Sequence, residues 1–189
     1  AGNLANASPV ADGTPAVVAL NGTIELARLE NSKIKTRVFK VSDFILGPGQ
    51  TVLKPGEIIT SVSLDAVGGY GGSFQKVGQR RSLAISVACC AVLVKAGSTG
   101  RFFDDVRLAL GGVGPRPMRL NAVESSLRGE KISRQTIHTA AQLAANEVAS
   151  RSRQEYRRSV VIGFVKAGIE EALENQSDVD VKFEEAEHA

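Results

Sequence analysis

Apolar residues fall on alternate positions through much of the first two thirds of this chain and shift to helical spacing in its last third. Residues 23–29 and 35–41 read as two strands split by the polar turn 30–32, a hairpin. Ser42 or Asp43 can cap one helical turn before Gly47-Pro48-Gly49 breaks it, and residues 57–64 alternate as another strand would. Ahead of these, residues 10–20 (VADGTPAVVAL) mix turn formers with a short apolar run. Gly68, Gly69, Gly71 and Gly72 mark the best boundary between two domains, since glycine loses most entropy on ordering and rarely clusters inside an element. Three strands follow, at 73–77, 85–95 and 106–110, the second apolar enough to be buried on both faces. They predict an antiparallel sheet.

Three helices should pack against that sheet. The first runs between Pro117 and Gly129 and carries Leu120, Val123 and Leu127. Ser133 can cap the second, whose Ile137, Ala140, Ala141, Ala144 and Val148 share a face, and the third places Val161, Phe164, Val165, Gly168 and Ala172 together. The expected class is therefore α+β. One unit spans residues 1–67, a second spans 68–175, and residues 176–189 form an acidic tail with Asp178, Asp180, Glu184, Glu185 and Glu187.

Composition narrows the function classes. With 43% hydrophobic and 23% charged residues, the chain of 189 residues has the balance of a folded globular protein. No apolar run approaches the ~20 residues that span a bilayer and no secretory signal opens the chain, so a cytoplasmic setting is expected. A net charge of +3, with Lys and Arg dispersed, gives little counterion-release drive toward nucleic acid. Adjacent Cys89 and Cys90 would point to opposite faces of a strand, which argues against a disulfide between them. Two cysteines, together with only His138 and His188, suit neither a structural metal site nor the four thiolates of an iron–sulfur cluster.

Two segments could carry chemistry. AGNLANASPVADGTP concentrates small, turn-forming residues around one carboxylate. Gly2 leaves its backbone open to a ligand, Asn3 offers both a donor and an acceptor, and Asp12 can accept hydrogen bonds from sugar-like hydroxyls. Capping of turns or of a helix start by Ser8 and Asp12 is the competing reading. SFQKVGQRRS clusters Lys76, Arg80 and Arg81, either for an anionic partner or as a solvated basic loop.

The opening AGNLANASPVADGTPAVVAL resembles the glycine-asparagine, alanine-serine-proline, aspartate motif of the FAD domain in xanthine dehydrogenases, aldehyde oxidoreductases and carbon monoxide dehydrogenases. DFILGPGQTVLKPGEIITSVSL, GSFQKVGQRRSLAISVACCAVL and VRLALGGVGPRPMRLNAVESSLRGE follow in that family's order, so the resemblance covers residues 1–173. It implies the second part of an FAD-binding α+β domain followed by a three-stranded antiparallel sheet packed with three helices. It places Ala1, Gly2 and Asn3 in the second FAD-binding loop, Asp12 on the cofactor's polyhydroxyl portion, Ile59 along the flavin and Lys76 near the isoalloxazine ring. Ala1 departs from the family's usual glycine there. The chain is expected to start inside a domain, without the family's glycine-rich pyrophosphate loop. The implied function is that of an electron-transfer subunit with FAD as cofactor, in a hetero-oligomer with a molybdopterin-binding subunit and an iron–sulfur subunit. No residue of this chain acts on the organic substrate. The alternative is a non-catalytic piece that docks partner subunits without holding FAD alone.

Overall fold

The computed structural model describes residues 1–80, 84–150 and 152–176, together with 180, 181 and 183. Its elements run in the order α1 (Gly2–Asn6), α2 (Gly13–Ala19), β1 (Thr23–Glu30), β2 (Lys33–Lys40), α3 (Val41–Phe44), β3 (Ile45–Gly47), β4 (Gln50–Thr51) and β5 (Ile58–Ser63). Then come β6 (Gly71–Gly78), β7 (Ser86–Ala96), β8 (Phe103–Gly111), β9 (Met118–Arg119), α4 (Asn121–Leu127), α5 (Arg134–Leu143) and α6 (Gln154–Glu174), with a 3-10 turn at Ala144–Glu147 between the last two.

The α+β class holds. The hairpin of β1 and β2 forms with Glu30 opposite Lys33, and β5 pairs antiparallel on the other side of β1, giving the order β2-β1-β5. Alternation sends Ile24 and Leu26 inward, where both are fully buried, and leaves Leu29, Ile34, Val38 and Ile58 exposed. The second sheet has the order β6-β7-β8-β9, antiparallel throughout. It has one strand more than the three expected, because Met118 and Arg119 fold back beside Leu110 and Ala109 before α4 begins. Pro117 therefore precedes β9, and α4 opens at Asn121. The acidic tail beyond residue 176 lies almost wholly outside the described residues.

β7 is buried on both faces, as its apolar run predicts, because each face has its own cover. Ala88, Cys90, Val92 and Val94 join the core formed with α4, α5 and α6, including Leu127, Ile137, Val161, Val165 and Ile169. On the opposite face Ala91 and its cross-strand neighbour Ala109 join Val18, Ile24, Leu26 and Phe44 in a second core. Cys89 and Cys90 do point to opposite faces, and both are unpaired thiols. Ser133 caps α5 as read, accepting a 3.0 Å hydrogen bond from the Thr136 N–H. Within the glycine cluster, Gly71 has a packing reason: a Cβ there would lie 1.8 Å from the Ala172 carbonyl oxygen, so only glycine lets β6 meet α6. Among the described residues no helix is long and apolar enough to cross a membrane.

Candidate functional site

The face of the second sheet that meets α2 is lined with small residues. Cys89 pairs with Gly111 and Ala91 with Ala109, so three short side chains and a bare glycine make a shallow bed. α2 lies on it so closely that a Cβ on Gly111 would sit 2.6 Å from Pro15 Cγ and 2.8 Å from Cys89 Sγ. This seating brings the start of α2 to the end of β6 and the start of β7. There Asp12 Oδ2 takes a 2.6 Å ion pair from Lys76 Nζ, and Asp12 Oδ1 accepts a short hydrogen bond from Ser86 Oγ.

Asp12 occupies the N-cap position of α2 but makes no side-chain cap bond. Its carboxylate is committed across the junction instead. Partial burial pushes the Asp12 carboxyl up, but hydrogen bonds from Lys76 and Ser86 and the charge of Lys76 outweigh that and hold it below the ordinary aspartate value. The pair is half open to solvent, with Lys76 33% and Asp12 43% exposed, and a carboxylate offers about four lone-pair sites, so acceptor capacity remains for a ligand.

The other predicted residues fall into two groups. Ala1, Gly2 and Asn3 are exposed and open the short helix α1, where the Ala1 carbonyl accepts from the Ala5 N–H at 2.9 Å. A Cβ on Gly2 would meet nothing within 4 Å, so the protein's own packing does not demand glycine there and open space lies against that backbone. Asn3 reaches toward the Asp12 segment, its Nδ2 lying 3.7 Å from where a Cβ on Gly13 would stand. Ile59 sits instead on β5 opposite Leu26, half-buried against the core that holds Ile24 and Phe44. The structure thus joins Asp12 to Lys76 directly and sets the Asn3 amide near Gly13, the residue after Asp12, while Ile59 packs with the core. Arg80 is exposed after β6, and Arg81 lies outside the described residues.

Residues that sequence reasoning did not single out complete the site. Ser86 is one. Gly112, with φ of +77°, donates from its N–H to the Pro9 carbonyl at 2.9 Å, and Gly49 donates to Ala7 at 3.0 Å, so loop 7–12 is pinned from two sides. Arg157 of α6 donates a short hydrogen bond to the Gly112 carbonyl from behind. A lone serine in an apolar strand run was the one available signal for Ser86; the backbone clamps left none.

A separate polar cleft of about 660 Å3 opens at the far end of α2, bordered by Asn21, Lys40, Asp65, Arg116 and Arg119, and it contains none of the predicted site residues.

Residues 1–65 match the family model described as the FAD binding domain in molybdopterin dehydrogenase, and residues 73–172 match the CO dehydrogenase flavoprotein C-terminal domain. The chain is 31% identical to the glyceraldehyde dehydrogenase medium chain of Sulfolobus acidocaldarius over 85% of its own length and 56% of that protein's. It is 28% identical to the nicotinate dehydrogenase FAD-subunit of Eubacterium barkeri, over 87% of this chain and 57% of that one. Its fold matches carbon monoxide dehydrogenase from Hydrogenophaga pseudoflava with a TM-score of 0.79 at 22% identity, covering 93% of this chain and 61% of that chain. The enzyme from Oligotropha carboxidovorans gives 0.81 at 21% identity, over 92% and 60%. The chain spans a little over half the length of these two curated relatives. It belongs to the family of FAD-binding medium subunits of molybdenum hydroxylases, the xanthine and carbon monoxide dehydrogenase type.

Proposed function

We propose that this chain forms part of the FAD site in the electron-transfer subunit of a molybdenum hydroxylase, which passes electrons from iron–sulfur clusters through FAD to an acceptor. The observation that carries the reading is the Asp12–Lys76 ion pair at 2.6 Å, which joins the segment matching the FAD domain to the segment matching the C-terminal domain. FAD would supply the redox chemistry, accepting and releasing electrons. The chain's own residues hold and tune it. Gly2 and Asn3 present open backbone and amide groups, Asp12 accepts hydrogen bonds from the cofactor's hydroxyls, Ile59 offers apolar surface to the ring, and the Lys76 ammonium favours the negative charge that reduction brings. The iron–sulfur clusters and the molybdopterin belong in this reading to partner subunits, and residues 1–67 and 68–175 act as two units that share the flavin site.

The test is direct. The full-length protein purified with its native partners should release FAD on denaturation, seen by its absorption and fluorescence; a colourless preparation that releases none refutes the reading.

A specific observation favours a second role beside it, docking of partner subunits. The outer face of the first sheet carries Leu29, Ile34, Val38 and Ile58 at 73%, 76%, 62% and 66% exposure, with Leu29 and Ile34 directly opposite one another across β1 and β2.

A further inference from the structure

Ser86 opens β7, is only 3% exposed, and is the lone hydroxyl in the apolar run 85–94. A hydroxyl buried in such a run costs stability unless it finds a partner. Its partner is Asp12 Oδ1, in a segment 74 residues away, while Lys76 from the neighbouring strand holds Oδ2 at 2.6 Å. The β6–β7 ladder makes this possible. Its register shifts between Val77 and Gly78, so that Ser86 stands opposite Gly78, and both donors converge on one carboxylate. An aspartate at the head of a helix ordinarily turns its oxygens to the free N–H groups of the first turn. Asp12 does not, since both of its oxygens are taken from the other side.

We propose that Ser86 is a positioning residue of the flavin site: by holding one carboxylate oxygen of Asp12 it fixes the carboxylate plane, keeps Lys76 on the other oxygen, and leaves the remaining lone pairs for the cofactor's hydroxyls. The proposal rests on the FAD reading above. Without the Ser86 hydroxyl the carboxylate is free to rotate toward the head of α2 and draw Lys76 with it. The loss also removes one of the hydrogen bonds that keep Asp12 ionised, so the flavin should be released at a higher pH on acidification.

The experiment compares Ser86→Ala and Ser86→Thr in the full-length protein purified with its native partners. FAD dissociation is followed by fluorescence as the pH is lowered, and folding is checked by far-UV circular dichroism and thermal midpoint. Ser86→Ala should bind FAD roughly tenfold more weakly at neutral pH, the effect of losing one charge-assisted hydrogen bond at one remove. Its acid release should move to higher pH, and Ser86→Thr, which keeps a hydroxyl, should restore both. Wild-type affinity together with an unmoved acid limb in Ser86→Ala overturns the positioning role while leaving the FAD reading intact. A loss of FAD that Ser86→Thr does not restore, or one accompanied by a lowered thermal midpoint, marks Ser86 as structural and overturns the role as well. Wild-type protein that releases no FAD overturns both.

Discussion

Replacement of Glu124 should be among the costliest single changes in the molecule. The side chain is 2% exposed, and its carboxylate closes the edge of the second sheet where β9 ends. Oε1 accepts the Leu108 backbone N–H at 2.8 Å and Arg119 Nε at 2.6 Å, while Oε2 takes the second arm of Arg119 at 2.8 Å. Arg128, 43% exposed and already bonded to Asp105 at 2.8 Å, adds little. In Glu124→Ala the buried Leu108 N–H loses its acceptor, at about 1–3 kcal/mol, and Arg119, only 18% exposed, loses a bidentate charged partner. Arg119 keeps the Asn21 side-chain oxygen at 2.6 Å, which softens the second loss. The total falls at about 3–5 kcal/mol, the range for breaking a buried ion pair from one side. Glu124→Gln retains an acceptor for Leu108 and should cost about 1–2 kcal/mol. Urea unfolding followed by far-UV circular dichroism measures both; with a slope near 2 kcal/mol per molar, the alanine variant shifts the midpoint by about 1.5–2.5 M. An alanine variant within about 1 kcal/mol of wild type, or a glutamine variant as damaged as the alanine one, would refute the reasoning.

Gly111→Ala should lower stability by about 1–3 kcal/mol, because the new methyl group meets Pro15 and Cys89 and pushes α2 off its bed. FAD retention should fall with it, since Pro15 lies three residues from Asp12; an unchanged thermal midpoint would show that α2 is not seated there. Burial pushes the Asp105 carboxyl up, but hydrogen bonds from Tyr70, Arg128 and Arg107 overcome this and bring it from 3.8 down to about 2. Its contribution is thus complete above pH 3.8 and is lost as the pH falls through about 2, so Asp105→Asn should flatten the acid limb of a stability-against-pH curve across that window. Identical limbs in the two proteins would count against it. Burial, assisted by the Asp12 carboxylate, pushes the Cys89 thiol up to about 11, and full burial pushes Cys90 higher still. Neither should react with a thiol reagent at about pH 8 in the folded protein, and both should react in denaturant. Fast labelling of one thiol in the native protein would contradict the packing of β7.

What could be read from the sequence was local. The hairpin of β1 and β2, the doubly buried β7, the Ser133 cap and the apolar stripe of α6 each follow from period and capping chemistry within a few residues. α2 was not legible, because it opens with Gly13, Thr14 and Pro15, a glycine, a β-branched residue and a proline, weak as a nucleus for an isolated helix. It exists as a helix because the bed of Cys89, Ala91, Ala109 and Gly111 receives it, which is a tertiary cause. The same holds for the site. Lys76 and Asp12 are 64 residues apart, and local chemistry supplied no reason to join them; the family resemblance named both, and the structure supplied the contact. Ser86 escaped notice because its aim depends on the register shift beside Gly78, which no residue pattern announces.

α2 is held at both ends by the second segment. At its head, Asp12 is gripped by Lys76 and Ser86. At its foot, the Asn21 side-chain oxygen accepts from Arg119 at 2.6 Å, its amide donates to Asp65 at 2.8 Å, and Asp65 in turn takes Arg107 at 2.8 Å. A helix of seven residues has little stability of its own, so its orientation is set by these two anchors and by the bed between them. Loop 7–12, which leads into that helix, is further clamped through Pro9 to Gly112 and from there to Arg157. Placement of the Asp12 carboxylate to within hydrogen-bond tolerance therefore follows from contacts spread over β6, β7, β8 and α6. A flavin site of the kind proposed above, with its motif in residues 1–12, would therefore depend on the second segment twice over: for Lys76, and for the β6, β7, β8 and α6 surface that gives the motif its shape.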